Sequence, residues 1–501
     1  MLFNSYAFLF VFLPMVSVVF FAAGRFSHRL AVLWLASASL GFYAWWNPLY
    51  VGLLVASVLF NYSAGLILLR PIPLARRRCL LAAAIAADLL LLGYFKYANF
   101  FLDAAGALFA GHWSLGPVML PLGISFFTFT QIAFLVDTAR GEVAEVDFVR
   151  YLLFVTYFPH LIAGPILHHK EMMPQFAQPR ISRFRPNWMA LGLSVFTVGL
   201  LKKVVLADGI AAYATPVFDA AARGVPPSLT EAWGGALAYT LQLYFDFSGY
   251  SDMAIGLARM IGVRLPLNFH SPYKAGSIIQ FWRRWHMTLS RFLRDYLYFP
   301  LGGNRRGRRR RLVNLMVTML LGGLWHGAGW TYLLWGGVHG FFLVVNHAWV
   351  AVAGRFGAPG PVRRLLGGVL TFICVVLAWV IFRAEGLPAA GVMMASLLGW
   401  HGMIPAARVV VVAGAKPIDW ATGWGWILGL LAVVWLMPNT QEIFARYRML
   451  GADHPRVDKL PIPILRMTWR RSPAAAGLLA VAGVVAVLYL SRGSEFIYFQ
   501  F

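Results

Sequence analysis

Hydrophobic positions in this chain come in long runs rather than in alternation. The sequence is predominantly apolar near 6–23, 30–46, 49–69, 79–97, 117–136, 148–168, 187–206, 232–261, 312–331, 332–353, 364–383, 424–437 and 474–490. A helix needs ~20 mostly apolar residues to cross the hydrocarbon core of a bilayer. Allowing for tilt and interruption, the runs predict an all-α polytopic membrane protein with about 10–12 transmembrane helices. The run at 148–168 is broken around Pro159, and 424–437 is short. The longest polar stretch, 438–472, leaves no room for a soluble domain. The opening MLFNSY carries no positive charge, so the first run reads as a retained transmembrane helix rather than a signal peptide.

Composition supports lipid as the main solvent. Of 501 residues 60% are hydrophobic and 12% charged, against about 25% charged in soluble domains. The net charge of +24 would suit nucleic acid, but its distribution argues against that partner. Arginines collect in short loops: Arg25 and Arg29; Arg70 with Arg76, Arg77 and Arg78; Arg305, Arg306 and Arg308 to Arg311; and Arg446 to Arg471. Cytoplasmic loops of membrane proteins gather such charge. The alternation places the N-terminus on the periplasmic or outer face, and the Arg305–Arg311 run suits anionic lipid head groups. Two cysteines, Cys79 and Cys374, make no disulfide framework.

Polar residues inside apolar runs cost energy and mark functional sites by default. Three segments concentrate them. In LQLYFDFSGYSDMAIG (241–256), Asp246 and Tyr250 share one helix face, as do Ser248 and Asp252. They would form either the wall of a site or a network locking neighbouring helices, the second being favoured. In QFWRRWHMTLSRFLRDYLYFPL (280–301), a continuous helix gathers Arg284, Arg291, Arg294 and Asp295 on one side, with Arg291 and Asp295 spaced to pair. Trp282, His286, Leu289 and Leu293 fall on another, which fits an interfacial or re-entrant helix with His286 turned inward. In MLLGGLWHGAGWTYLLWGGVHG (319–340), His326 lies ~20 Å along a helix starting near Leu312. Its glycine neighbours permit close helix packing and equally a narrow passage.

An imidazole in such surroundings is neutral, and a neutral imidazole is a general base. It can take the proton of a hydroxyl whose oxygen attacks a thioester. No Gly-x-Ser-x-Gly elbow, Walker loop, His-Glu-x-x-His or Cys-x-x-Cys occurs. His168, His169 and Glu171 are close in sequence but sit in a polar stretch read as a loop, so no metal is expected.

The blocks LYFDFSGYSDMAIG, FWRRWHMTLSRFLRDYLYFPLGGNR and LLGGLWHGAGWTYLLWGGVHG resemble the signatures of the membrane-bound O-acyltransferase family, in its bacterial alginate O-acetyltransferase branch. FPHLIAGPI (158–166), the terminal FIYFQF and the opening MLFNSYAFLFVFLP are similar to that branch too. The likeness spans the chain, with a divergent stretch near 390–470. It implies a single membrane domain over 1–501, with N-terminal helices in 1–97, a catalytic core about 117–350 and C-terminal helices about 364–501. Re-entrant and interfacial helices would surround a central tunnel. The resemblance further implies His326 as the catalytic residue and His286 as its partner. Trp325, Trp282, Trp285, Asn268, His339, Asp246, Tyr250, Asp252, Ser290, Asp295 and Asn304 are the candidates for tunnel or substrate contacts.

In reaction terms the resemblance implies transfer of an acyl group, usually acetyl. The donor would be cytoplasmic acetyl-CoA or an acyl carrier protein thioester. The acceptor would be an extracytoplasmic polysaccharide or a periplasmic SGNH-type acetyltransferase, at a bacterial inner membrane. D-alanyl transfer and peptidoglycan acylation stay open within the family. Outside it, a polysaccharide or lipid transporter and a non-catalytic export scaffold are the competing readings.

Overall fold

The structure is a computed structural model, and it describes residues 1–111, 113–144, 146–353, 360–403, 418–447, 468–492 and 497. FIYFQF apart from Ile497, and most of the Arg446–Arg471 stretch, lie outside the described residues. Among those residues the regular structure is helical throughout.

The apolar runs become helices nearly where hydropathy puts them. The N-terminal set is α1 (Phe8–Phe26), α2 (His28–Ala44), α3 (Leu49–Leu68) and α4 (Leu74–Phe109), the last with a π-helical turn at Gly93–Tyr97. The middle set is α5 (Ile124–Ala139), α6 (Phe148–Thr156), α7 (His169–Phe176), α8 (Pro186–Ala222), α9 (Leu229–Met260), α10 (Ile278–Trp282), α11 (Met287–Leu293), α12 (Gly307–His326) and α13 (Trp330–Ala353). The chain continues through α14 (Pro361–Arg383), α15 (Leu387–Leu397), α16 (Trp420–Leu436) and α17 (Pro473–Tyr489). By length and apolarity α1, α3, α4, α8, α13 and α14 are long enough to cross a membrane, and α5, α15, α16 and α17 are shorter apolar helices. The protein is a multi-pass membrane protein.

Two helices organise the rest. The 32-residue α9 is ~48 Å long at 1.5 Å per residue. A capping box starts it: the Ser228 hydroxyl meets the Glu231 N–H, and Glu231 accepts from the Ser228 N–H at 2.9 Å. Nearly all of α9 is buried, because α8 lies along it backbone to backbone. A Cβ on Gly199 would stand 2.6 Å from the Gly249 carbonyl oxygen, and one on Gly256 2.7 Å from that of Gly192. Two glycines seven residues apart on each helix thus bring the axes together, as small residues do where lipid gives no hydrophobic push.

The second organiser is the α12–α13 hairpin. A Cβ on Gly323 would collide with the Tyr332 carbonyl oxygen, and one on Gly336 with that of Met319. Gly323, three residues before His326, therefore serves close packing at this crossing.

Two expectations are corrected. Residues 117–123 are not helical; Pro117, Pro121 and Gly123 (φ 71°) delay α5 to Ile124. The segment 280–301 is not one helix. It breaks after α10, and His286 takes a left-handed conformation (φ 42°, ψ 53°) as the residue preceding α11. The cause is Asn268: its carbonyl accepts the Met287 N–H at 2.9 Å, and its side-chain oxygen accepts from the Thr288 hydroxyl at 2.9 Å. These bonds start a new helix there. Arg291 pairs with Glu171 in a two-pronged contact instead of with Asp295, and Asp295, in the π-helical turn Arg294–Tyr298, pairs with its neighbour Arg294 at 2.7 Å.

Candidate active site

The helix α12 ends on His326, and Gly327 leaves it in an extended conformation. Its last carbonyls need partners from elsewhere. The π-helical turn of α4 supplies them. The Tyr97 hydroxyl donates to the Leu324 carbonyl at 2.9 Å, and the Lys96 ammonium to those of Trp325 and His326 at 2.6 and 3.1 Å. A cation here also complements the negative end of the helix dipole.

The His326 side chain is 5% exposed and ringed by aromatics: Trp325 at 5.0 Å between ring centroids, Trp335 at 5.1 Å and Phe382 at 5.4 Å. The His286 ring, fully buried, lies 6.3 Å away. Residues 40 apart in sequence thus meet because the break before α11 turns His286 toward the end of α12. Trp325 flanks both, its ring 6.0 Å from that of His286.

Asn268 settles the protonation of His286. Its side-chain oxygen, an acceptor only, is 3.1 Å from His286 Nδ1. Nδ1 therefore carries the hydrogen and Nε2 the lone pair. The amide orientation rests on the Thr288 backbone N–H, a donor only, which meets the same Asn268 oxygen at 3.4 Å. The left-handed backbone at His286, uncommon for a side-chain-bearing residue, costs about 1–3 kcal/mol of strain. The bonds from Asn268 hold it in place.

A second aromatic box adjoins the first. His339 packs against Trp335 at 4.8 Å, Trp282 at 5.2 Å and Phe281 at 6.0 Å. Both His339 ring nitrogens and the indole nitrogens of Trp282 and Trp335 are buried with no hydrogen-bond partner among the described residues. Trp285 belongs to the wall behind, against Trp379 at 4.9 Å and Phe269 at 5.0 Å.

Other sequence candidates are placed elsewhere. Asp246 pairs with Lys203 at 2.7 Å and accepts the Ile497 N–H at 3.1 Å. Asp252 accepts from Lys202 and Thr440, each at 2.7 Å, and from Gln441 at 2.9 Å. Both lysines stand in the π-helical segment Lys202–Ala207 of α8, so the two aspartates tie α9 to its neighbour. Asp252 still borders a small hollow shared with Asn268. Tyr250 stacks on Phe3 at 4.8 Å. The Ser290 hydroxyl reaches the Trp285 carbonyl at 3.5 Å. Asn304 accepts from Tyr298 near the arginine end of α12, so Asn304 and Arg305–Arg311 sit at the opposite end of a ~28 Å helix from His326. His168 and His169 are buried rather than in a polar loop, His168 meeting Tyr296 at 3.1 Å. Among the described residues no group of His, Cys, Asp and Glu is arranged to hold a metal ion.

Lys96, Trp335, Trp379 and Phe382 were not singled out from the sequence. Lys96 had a signal: it is a charge in the apolar run 79–97, and the rule that picks out Asp246 picks it out too. The aromatics had none, because aromatic residues in apolar helices are ordinary core.

Lys96 also lines a cavity of about 330 Å³ with Trp46, residues 120–126, Ile162 and Trp325. A cavity thus borders Trp325 on one side while His326 packs against that same residue.

A multi-pass helical protein with two buried histidines meeting in an aromatic cage is the class these observations define. The chain belongs to the membrane-bound O-acyltransferase family, whose family model matches residues 16–384. It is 43% identical over 430 residues to the peptidoglycan O-acetyltransferase of Helicobacter pylori, covering 80% of this chain and 81% of that one. It is 38% identical over 521 residues to a probable alginate O-acetylase AlgI of Pseudomonas putida, covering all of both chains. It is 44% identical over 398 residues to a probable alginate O-acetylase AlgI of Pseudomonas aeruginosa, covering 78% of this chain and 73% of that one. The protein is an O-acyltransferase of the alginate and peptidoglycan O-acetyltransferase type.

Proposed function

We propose that the protein moves an acetyl group from a cytoplasmic thioester, acetyl-CoA or an acyl carrier protein, through the membrane to a hydroxyl on the other side. The acceptor hydroxyl belongs to an exported polysaccharide or to a periplasmic SGNH-type acetyltransferase. The single observation that carries the site is the pair of buried rings, His326 and His286, 6.3 Å apart in an aromatic cage. In this reading His326 takes the proton of the hydroxyl as its oxygen attacks the thioester carbonyl. The C–S bond then breaks, and the proton passes to the departing thiolate. His286, with Asn268 on Nδ1, presents Nε2 to the reacting groups. The nitrogens of Trp282, Trp335 and His339 that have no partner among the described residues support a donor path that takes a chain bearing hydrogen-bonding groups such as amides. The cavity beside Trp325 serves the acceptor. The orientation is N-terminus outside, in a bacterial inner membrane, with the arginine loops toward the cytoplasm and its lipid head groups.

The test is transfer of labelled acetyl from a thioester by purified protein in detergent, where no gradient exists. Wild-type protein is expected to transfer or release acetyl, and His326→Ala to lose about 10²–10⁴-fold. Wild-type rates in His326→Ala would remove the assigned site. Absence of thioester chemistry alongside glycan movement in vesicles would favour a transporter.

A further inference from the structure

The end of α1, the start of α8 and the end of α9 are drawn together at one corner by the segment between α7 and α8. The turn Pro179–Ser182 of that segment packs on α1, where a Cβ on Gly24 would collide with the Ser182 carbonyl. The His28 ring reaches the Ser182 hydroxyl at 3.2 Å and the Phe176 carbonyl at 2.9 Å. Just past α9, Gly262 (φ 83°) seats the Trp188 ring where a Cβ would strike it.

Arginines gather on this frame. Arg259, in the last turn of α9, is 6% exposed. Its guanidinium lies 5.3 Å from the Trp188 ring, and that of Arg185 lies 4.7 Å from the same ring. The charged groups that act on Arg259, Arg264 and Arg180, both repel it. Arg259 Nε is buried with no hydrogen-bond partner among the described residues. The chain segments that build the corner supply no carboxylate: no Asp or Glu occurs before Asp88, from Met172 to Ala207 or from Met253 to Arg294. Like charges held together in a poorly solvated place repel, and a bound anion relieves them. The guanidinium fork matches the oxygens of a phosphate. The corner also lies at the edge of the apolar layer. Phe184 packs on Phe21 at 5.3 Å, close to the end of the α1 span, and Phe184 and Phe26 are themselves exposed.

We infer that Arg185 and Arg259 on Trp188, with Arg180 and Arg264 beside them, form a binding site for the phosphate of an anionic phospholipid, with Phe184 and Phe26 against its acyl chains. A soluble phosphate would use the same guanidinium groups; the exposed phenyl rings next to them favour a lipid. The site is separate from the acyl-transfer reading, and neither depends on the other.

The experiment measures binding of phosphatidylglycerol and of phosphatidylcholine to full-length, delipidated protein in a neutral detergent, by native mass spectrometry. Wild type is expected to bind phosphatidylglycerol about tenfold or more tighter. Arg185→Gln should weaken phosphatidylglycerol about fivefold, and Arg259→Gln at least as much, with phosphatidylcholine unchanged in both. Arg185 is exposed, so its variant carries the test even where Arg259→Gln fails to fold. Arg76→Gln, in another basic stretch, should bind as wild type does. Equal binding of the two lipids by wild type, an unchanged preference in Arg185→Gln, or an equal loss in Arg76→Gln would overturn the inference. Inorganic phosphate raising the thermal midpoint as far as phosphatidylglycerol does at the same concentration would assign the site to a soluble anion and overturn the lipid.

Discussion

Two regions place polar residues where hydropathy predicts lipid, and they end in opposite arrangements. In α9, Asp246 and Asp252 are each met at 2.7 Å by a lysine from α8. At the end of α12, His326 and His286 meet each other and a wall of aromatic rings. A buried charge matched by its opposite is joinery: it fixes which helix lies beside which. Imidazoles enclosed by indoles and phenyl rings are, in the proposed mechanism, the groups that carry the proton. The polar residue itself does not tell these cases apart; the company it keeps does.

The ion pairs give the largest expected effect. Asp246→Ala leaves Lys203 buried with one carboxylate fewer, and a cost of about 3–5 kcal/mol in stability is expected. The double change Asp246→Leu with Lys203→Met should recover much of it, read as the thermal midpoint in detergent. Activity per mole of folded protein should change little in either. A loss of activity that outlasts the recovered stability would move Asp246 from architecture into the site.

Asn268 sharpens the other side. Asn268→Ala removes the acceptor that holds His286 Nδ1–H and the bonds that start α11. A fall of about 10–100-fold in acetyl transfer is expected, in line with loss of a group that orients a functional histidine. Asn268→Asp, which keeps an acceptor at that point, should restore part of the rate. Equal loss in both would mean that the amide serves the fold alone.

Gly323→Ala tests the helix crossing that carries His326. Its added methyl meets the Tyr332 backbone, and overpacking of this kind costs about 1–3 kcal/mol. The smallest expected effect is at the start of α9. Ser228→Ala removes one half of the capping box and should cost about 1 kcal/mol with no change in activity.

Much of this arrangement was legible in the sequence, and the failures have physical causes. Apolar runs located most helices to within a few residues, because in lipid every backbone polar group must be satisfied within its own segment. His326 was expected inside a helix and stands at its last residue, since Gly327 ends α12 there. The 280–301 wheel failed because Asn268, distant from it in sequence, intervenes to start α11 at Met287. No periodicity within the segment encodes that bond. The meeting of His286 and His326 was suggested by family resemblance and not by spacing. The aromatic cage of Trp335, Trp379 and Phe382 was invisible for the same reason: it is assembled across α13 and α14.

Chemistry at His326 and joinery at Asp252 separate most directly when two variants are measured side by side. Acetyl transfer per mole of folded protein and thermal midpoint are measured for His326→Ala and for Asp252→Ala in the same detergent. His326→Ala is expected to lose transfer by about 10²–10⁴-fold and keep its midpoint, and Asp252→Ala to lose stability and keep its specific activity. His326→Ala retaining transfer would remove His326 from the chemistry, and Asp252→Ala losing it at an unchanged midpoint would place Asp252 in the site.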